Sequence, residues 1–197
     1  AHGYEMMFTP LQILNFYNAV ANDGKMMKPY LVSEIRRGDE IRKKFDPVVL
    51  RSQIAKPESI AKAKKMMEGV ILKGTGKSLK SEHFSMAGKT GTAKTNYANK
   101  GEYARYNASF CGYFPAENPM YSMIVVVYEP KAGAFYGGAV AGPVFKNVAE
   151  KVYALKTKQV RSLSDTLFVS SSLPGSGQGF GKDFNRIFDY LALKYKN

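Results

Sequence analysis

The 197-residue sequence is short of the residues that build disulfides and metal centres, with one cysteine and two histidines. Cys111 has no partner within the chain, so an intrachain disulfide is excluded, and an oxidising compartment is neither demanded nor ruled out. One cysteine and two histidines cannot complete a zinc site by themselves, and the sequence implies no metal and no cofactor. Cys111 lies in an apolar segment, which points to a buried, inert thiol rather than a reactive one. Long apolar runs are also missing. The longest, Met123 to Tyr128, is strand-sized, far below the roughly 18–20 residues of a membrane span. The start, Ala1-His2-Gly3-Tyr4-Glu5, has neither a basic opening nor an apolar signal core. Targeting information and any membrane anchor are therefore expected outside this chain. Internal repeats are absent.

Acidic residues are scarce as well: 16 Asp and Glu stand against 29 Lys and Arg, a net charge of +13. Such an excess can serve nucleic acid or an acidic membrane surface. Here the basic residues are scattered between apolar positions, as on solvated faces, and nucleic acid is not the expected partner. What remains is ordinary for a folded domain. Hydrophobic content of 45% is too high for a disordered chain, and the length fits one domain, or one domain with a tail.

Local signals divide the chain into elements. Thr9-Pro10 is a helix start, and Leu11, Leu14, Tyr17 and Ala21 repeat at helical spacing, with Val20 widening the stripe. Asn22-Asp23-Gly24 ends that helix. Tyr30 to Arg36 and Ile41 to Phe45 read as strands around a Gly38-Asp39 turn. Pro57 opens a second helix with Ile60, Ala63, Met67, Val70 and Ile71 on one side and lysines on the other. Gly74-Thr75-Gly76-Lys77-Ser78 ends like a phosphate loop, but Ile71 stands where that loop needs glycine, and the segment follows a helix. It reads as a helix-terminating turn. Strands are expected at Ser85 to Lys94, Ala108 to Phe114 and Tyr121 to Glu129, the last two forming an antiparallel hairpin. A third helix follows with Val140, Val144, Val148, Val152 and Leu155 on one face and Pro143 in its first turn. Residues 1–156 read as the folded part. Residues 157–197 read as a linker-like tail, with a serine- and glycine-rich stretch around 170–179 and a short terminal helix at Phe184 to Tyr195.

One tetrapeptide carries chemistry. In Lys89-Thr90-Gly91-Thr92 a lysine charge can hold an anionic substrate, a hydroxyl can bind its carboxylate, and a glycine lets another chain approach the strand closely. In a chain of this composition the four residues would arise by chance only about 0.003 times. Lys-Thr-Gly is one of three signatures of penicillin-binding proteins and serine β-lactamases. The other two, a Ser-x-x-Lys nucleophile and a Ser-x-Asn, do not occur upstream in the required order. Ser59-Ile60-Ala61-Lys62 matches the first pattern but lies only 30 residues before Lys89 within a lysine-faced helix, and is rejected as the nucleophile. Tyr97-Ala98-Asn99 falls after Lys89, in the wrong order for the second.

Three blocks extend the match. They are Gly3-Tyr4-Glu5 through Thr9-Pro10-Leu11-Gln12 to Ala21-Asn22-Asp23-Gly24; Ala87-Gly88 through Thr92-Ala93; and Ala108-Ser109-Phe110 through Glu129-Pro130 and Tyr136-Gly137-Gly138 to Ala141-Gly142-Pro143-Val144-Phe145. In these the chain resembles class B penicillin-binding proteins, the monofunctional peptidoglycan transpeptidases, and within them the division-associated group. Most of residues 3 to 155 is covered, in the order of the C-terminal half of the transpeptidase domain. The resemblance implies an α/β fold of α+β type: an incomplete β-lactamase/transpeptidase-like fold, an antiparallel sheet with helices on its faces. Two strands, the nucleophile helix and the Ser-x-Asn loop are expected before this chain begins. In some relatives a linker like that after residue 156 leads to a wall-binding PASTA module, and none is complete here.

The implied activity is D,D-transpeptidation. A serine attacks the D-Ala-D-Ala amide of a peptidoglycan stem peptide, releases D-Ala, and yields its acyl group to a neighbouring stem's amine. β-Lactam antibiotics mimic the dipeptide. Lys89 and Thr92 then carry catalytic roles: Lys89 as a fixed charge, Thr92 through a backbone N–H that donates to the oxyanion. Thr90, Gly91 and Thr92 bind substrate, and Phe135 and Tyr136 wall the groove, with core packing an equal alternative for that aromatic pair. Tyr97, Tyr103 and Tyr106 fall in a polar loop whose plainer reading is surface. The implied location is the bacterial envelope, on the periplasmic side of the inner membrane, with cell-division proteins as partners. The chain alone is expected to be inactive and, with its sheet edge open, to self-associate or pair with a companion fragment. Two alternatives stand beside this reading: a β-lactamase or β-lactam sensor, and a catalytically dead module that binds wall polymer or a partner protein.

Overall fold

The computed structural model describes residues 7–95, 105–131 and 133–164, and of 157–164 the backbone only. The tyrosines Tyr97 and Tyr103, the Tyr97-Ala98-Asn99 segment, the block from Gly3 to Glu5, the linker and the terminal helix lie outside the described residues. The chain divides into two units, Ala1–Lys156 and Thr157–Asn197. The first holds the site described below. In the second, the described residues are the helical turns up to Ser164.

Helix α1 (Pro10–Ala21) starts where the sequence signals it. Thr9 and Gln12 form a reciprocal capping box: the Gln12 N–H donates to Thr9 Oγ1 at 3.3 Å and the Thr9 N–H to Gln12 Oε1 at 2.8 Å. Gly24 ends the helix at φ +94°, a left-handed conformation that glycine adopts without strain. The C-terminal half of α1 is the half that packs: Ala19, Val20 and Ala21 are buried, and Asn18 Nδ2 donates to Ser122 Oγ at 2.9 Å. Leu11, expected in the buried stripe, stays 56% exposed, because the first turn of the helix extends beyond that contact.

Two small antiparallel ribbons follow. β1 (Met26–Met27) pairs with β4 (Val49–Arg51), and β2 (Glu34–Arg37) with β3 (Glu40–Lys44) across the expected Gly38-Asp39 turn. The predicted strand from Tyr30 is shorter than expected: its ladder with β3 begins at Glu34, with one more backbone bond from the Phe45 N–H to the Ser33 carbonyl at 2.8 Å. Helix α2 (Pro57–Leu72) buries Ile60 and Ile71, and the short 3₁₀ turn Lys77–Leu79 follows it.

The central sheet has three antiparallel strands in the order β5-β6-β7, with β5 (Ala87–Lys94), β6 (Tyr106–Phe114) and β7 (Tyr121–Tyr128). Register runs from Ala87↔Tyr113 to Lys94↔Tyr106 and from Asn107↔Tyr128 to Phe114↔Tyr121. Side chains alternate between the two faces. On one, Phe110 and Phe114 meet helix α3 (Gly137–Ser164) in a core with Ile71, Leu79, Phe84 and Met86. On the other, Ala87 and Tyr113 meet Ala21 of α1, with Met67 of α2 alongside. This is the expected antiparallel sheet with helices on both faces.

Of the expected valine stripe of α3, Val152 packs against the core, but the fully buried positions are others. Ala141, Phe145 and Ala149 are fully buried, while Val144 and Val148 remain 46% and 39% exposed and Leu155 64%. The Phe145 ring lies 4.7 Å from Phe110 and 5.9 Å from Phe114, each edge-on. An aromatic ring buries more area than a valine, and the alanines one turn either side let the helix come close. The phenylalanine stripe therefore wins over the valine stripe beside it.

Candidate functional site

Lys89-Thr90-Gly91-Thr92 forms the middle of β5, and among the described residues β5 is an edge of its sheet. Which way its backbone points follows from the register. The Thr95 N–H donates to the Arg105 carbonyl at 2.9 Å, one step beyond the Lys94↔Tyr106 pair. In an antiparallel ladder, hydrogen-bonding and non-bonding residues alternate. Lys89, Gly91 and Ala93 therefore turn their N–H and C=O groups toward β6, and Thr90 and Thr92 turn theirs to the open edge. The Thr92 N–H is aimed away from the sheet.

The side chains leave β5 on both faces, Lys89 on one and Thr90 and Thr92 on the other. Lys89 is exposed, and its ammonium donates to the outward carbonyl of Thr90 at 2.8 Å. Thr90 Oγ1 stands 2.8 Å from Thr75 Oγ1. Thr92 Oγ1 accepts from the Gly137 N–H at 3.3 Å, at the start of α3. Thr90, Thr92, Thr75, Ser78, Tyr136 and the first turn of α3 line one cleft of about 360 Å³. A Cβ on Gly91 would come within 2.4 Å of Ser109 Oγ, a hydroxyl that can rotate aside.

Phe135 and Tyr136 are not in the core. Tyr136 is 64% exposed and its ring lies tilted against Phe135 at 4.5 Å, and Phe135 in turn stacks 4.4 Å from Tyr106. Tyr136 lines the cleft with the two threonines. Phe135 lines a second cleft of about 520 Å³ with Tyr106, Arg105, Glu129 and Lys131. The aromatic ladder thus joins the two clefts along the strand ends.

Ser59 sits exposed in the first turn of α2, with no hydrogen bond to Lys62 among the described residues. Cys111 is buried beside Lys89 in the register, and burial pushes its thiol up to about 12, which makes it the inert cysteine expected. Thr75 and Ser78 are site residues that the sequence did not single out. Their segment reads as a terminating turn, and so it is, but it also delivers a hydroxyl to Thr90. A threonine held between two glycines was the available signal.

Comparison with known proteins places this geometry in a family. Residues 1–150 match the family of the penicillin-binding protein transpeptidase domain. The chain is 36% identical over 151 residues to the peptidoglycan D,D-transpeptidase FtsI of Escherichia coli (strain K12), covering 73% of this chain and 23% of that protein. Its fold is similar to the apo transpeptidase domain of penicillin-binding protein 3 from Burkholderia pseudomallei, with TM-score 0.62, 29% identity, and 78% of this chain and 44% of that one covered. It is also similar to the imipenem acyl-enzyme complex of penicillin-binding protein A from M. tuberculosis, with TM-score 0.62, 26% identity, and 74% and 31% covered. The chain spans about a quarter of the length of the curated relatives it matches. With an edge strand bearing Lys-Thr-Gly-Thr between helices on both sheet faces, and a family match that takes in every strand of that sheet, this chain belongs to the penicillin-binding protein transpeptidase domain family.

Proposed function

We propose that this chain forms the Lys-Thr-Gly-Thr side of a peptidoglycan D,D-transpeptidase of the division-associated class, working within a longer protein that supplies the nucleophilic serine. One observation carries the reading: the Thr92 N–H points to an open edge, the Lys89 ammonium reaches the Thr90 carbonyl at that edge, and the Thr90 and Thr92 hydroxyls line the cleft beside it.

In this reaction the serine oxygen bonds to the carbonyl carbon of the penultimate D-Ala and the carbonyl becomes an oxyanion. The C–N bond to the terminal D-Ala then breaks, and that residue leaves with a proton on its amine. A second stem's amine attacks the ester, and the serine regains its proton. The Thr92 N–H donates to the oxyanion, a contact whose loss typically costs about 3–4 kcal/mol of transition-state stabilisation. Lys89 draws in the terminal carboxylate, and the Thr90 and Thr92 hydroxyls bind it. At bare Gly91 the stem peptide can lie along β5 as an added strand. Tyr136 and Phe135 wall the groove and hold substrate or inhibitor side chains. The imipenem acyl-enzyme complex of the M. tuberculosis relative supports β-lactam binding by the longer protein.

We assign residues 1–156 to the transpeptidase domain and 157–197 to a tail. The longer protein works at the periplasmic face of the inner membrane, beside cell-division proteins. Among the described residues, the chain taken alone leaves the free edge of β7 and the side chains of Val144, Val148, Leu11 and Phe16 open, which favours self-association or a companion fragment. A monodisperse monomer in sedimentation would count against that.

The test is covalent labelling by fluorescent penicillin. The longer protein should be labelled, Lys89→Ala should slow labelling by at least tenfold, and the chain alone should stay unlabelled. Labelling of the chain alone at Ser59 would overturn the assignment. Rapid hydrolysis of the adduct in the longer protein would indicate a β-lactamase instead.

A further inference from the structure

We propose that Thr75 is a positioning residue for carboxylate recognition, acting through Thr90. The proposal rests on the transpeptidase reading above and adds to it a residue outside the Lys-Thr-Gly-Thr motif.

Thr75 Oγ1 and Thr90 Oγ1 stand 2.8 Å apart across the cleft wall, 15 residues apart in the chain. Among the described residues no other hydrogen bond is made by the Thr75 hydroxyl. A hydroxyl has one proton, so one member of the pair donates and the other accepts. If Thr90 donates to Thr75, lone pairs of Thr90 face the cleft and oppose a carboxylate. If Thr75 donates to Thr90, the Thr90 proton is free to point at the carboxylate. An anion in the cleft selects the second arrangement. The chain Thr75 to Thr90 to carboxylate then polarises along its length, each bond strengthening the next.

The turn is built to hold Thr75 in place. A Cβ on Gly74 would lie 2.8 Å from the Val70 Cα, and one on Gly76 would lie 2.8 Å from Ile71 Cδ1. Both flanking residues are thus packed onto the end of α2, and the Gly74 and Gly76 N–H groups both donate to the Val70 carbonyl, at 3.1 and 3.0 Å. From the other side, α3 presses on the turn: a Cβ on Gly138 would lie 2.6 Å from the Thr75 carbonyl oxygen and 3.4 Å from Thr90 Cγ2. Thr75 therefore sits between the end of one helix and the start of another, and its hydroxyl is directed at Thr90.

The experiment compares penicillin G with its methyl ester, which lacks the anionic carboxylate, as acylating agents of the longer protein. Thr75→Val keeps the shape and removes the donor. Its second-order acylation rate with penicillin G should fall about five- to tenfold, while the rate with the ester changes less than about twofold. Thr75→Ser, which restores the hydroxyl, should recover the acid rate to within about twofold, and Thr75→Ala takes the place of the valine variant should that one unfold. An equal loss on acid and ester would overturn the proposal in favour of a merely structural role. An unchanged preference for the acid in Thr75→Val, or a failure of Thr75→Ser to recover, would overturn it as well. If the unaltered protein does not prefer the acid to the ester, the carboxylate role of Thr90 and Thr92 falls first, and the proposal with it.

Discussion

Gly137 is the point at which a single methyl group should disturb the site most. It opens α3 and lies backbone to backbone on the sheet. A Cβ there would stand 2.2 Å from the Ser109 carbonyl oxygen, 2.5 Å from that of Gly91 and 3.0 Å from the Gly91 nitrogen. Neither carbonyl can rotate away, because Ser109 and Gly91 face each other in the β5–β6 ladder. Bringing the contact to Ser109 out to even 3.0 Å requires a movement of about 0.8 Å between helix and sheet. Overpacking of this kind costs about 1–3 kcal/mol in stability. The same movement pulls the Gly137 N–H away from Thr92 Oγ1 and shifts Thr92, and a 1 Å misplacement of a catalytic group can cost on the order of 10²-fold in rate. Gly137→Ala should therefore lower the urea midpoint of the chain and slow penicillin acylation of the longer protein by about two orders of magnitude. Gly138→Ala, whose Cβ meets the Thr75 carbonyl oxygen at 2.6 Å, should do the same to a lesser degree. A Gly137→Ala protein with an unchanged midpoint and an acylation rate within twofold of the parent would refute the close-approach argument.

Gly69 lies inside α2 with nothing within 4 Å of the place an added methyl would take, so Gly69→Ala should stabilise the chain by about 0.5–1 kcal/mol, read from urea denaturation. Cys111 supplies a pH dependence. Its folded value is raised by burial from 9.0 to about 12, so the folded state keeps a proton that the unfolded state loses first. Stability from this group is fully present below pH 9, is lost as pH rises toward 12, and that loss should be missing in Cys111→Ala when denaturation midpoints are compared across the window. The same burial predicts that a thiol reagent at pH 8 reacts with the unfolded chain and not with the folded one.

Much of the fold was legible because its signals are local. Thr9, Pro10 and Gly24 mark the ends of α1 within a few residues of chain, and the β-prone run ending at Tyr128 needs no partner to announce itself. Where tertiary contact decides, the sequence was silent. On α3 two apolar stripes run side by side, and only the rings of Phe110 and Phe114 show that Phe145 faces inward rather than Val144 and Val148. β1 and β4 are too short to show any alternation, and their pairing depends on contact across more than twenty residues. The site divides the same way. Lys89 to Thr92 declares its chemistry through residue types in a row. The outward direction of the Thr92 N–H depends on register with β6, and the Thr75–Thr90 contact depends on the close of α2 beside β5, so neither could be read from residue order.

The structure of the penicillin acyl-enzyme formed by the longer protein would decide whether the edge of β5 receives the acyl group. The acyl carbonyl oxygen should lie about 2.7–3.1 Å from the Thr92 nitrogen, with the penicillin carboxylate on the Thr90 and Thr92 hydroxyls. An acyl carbonyl turned away from Thr92, or a carboxylate bound clear of both threonines, would contradict the assignment.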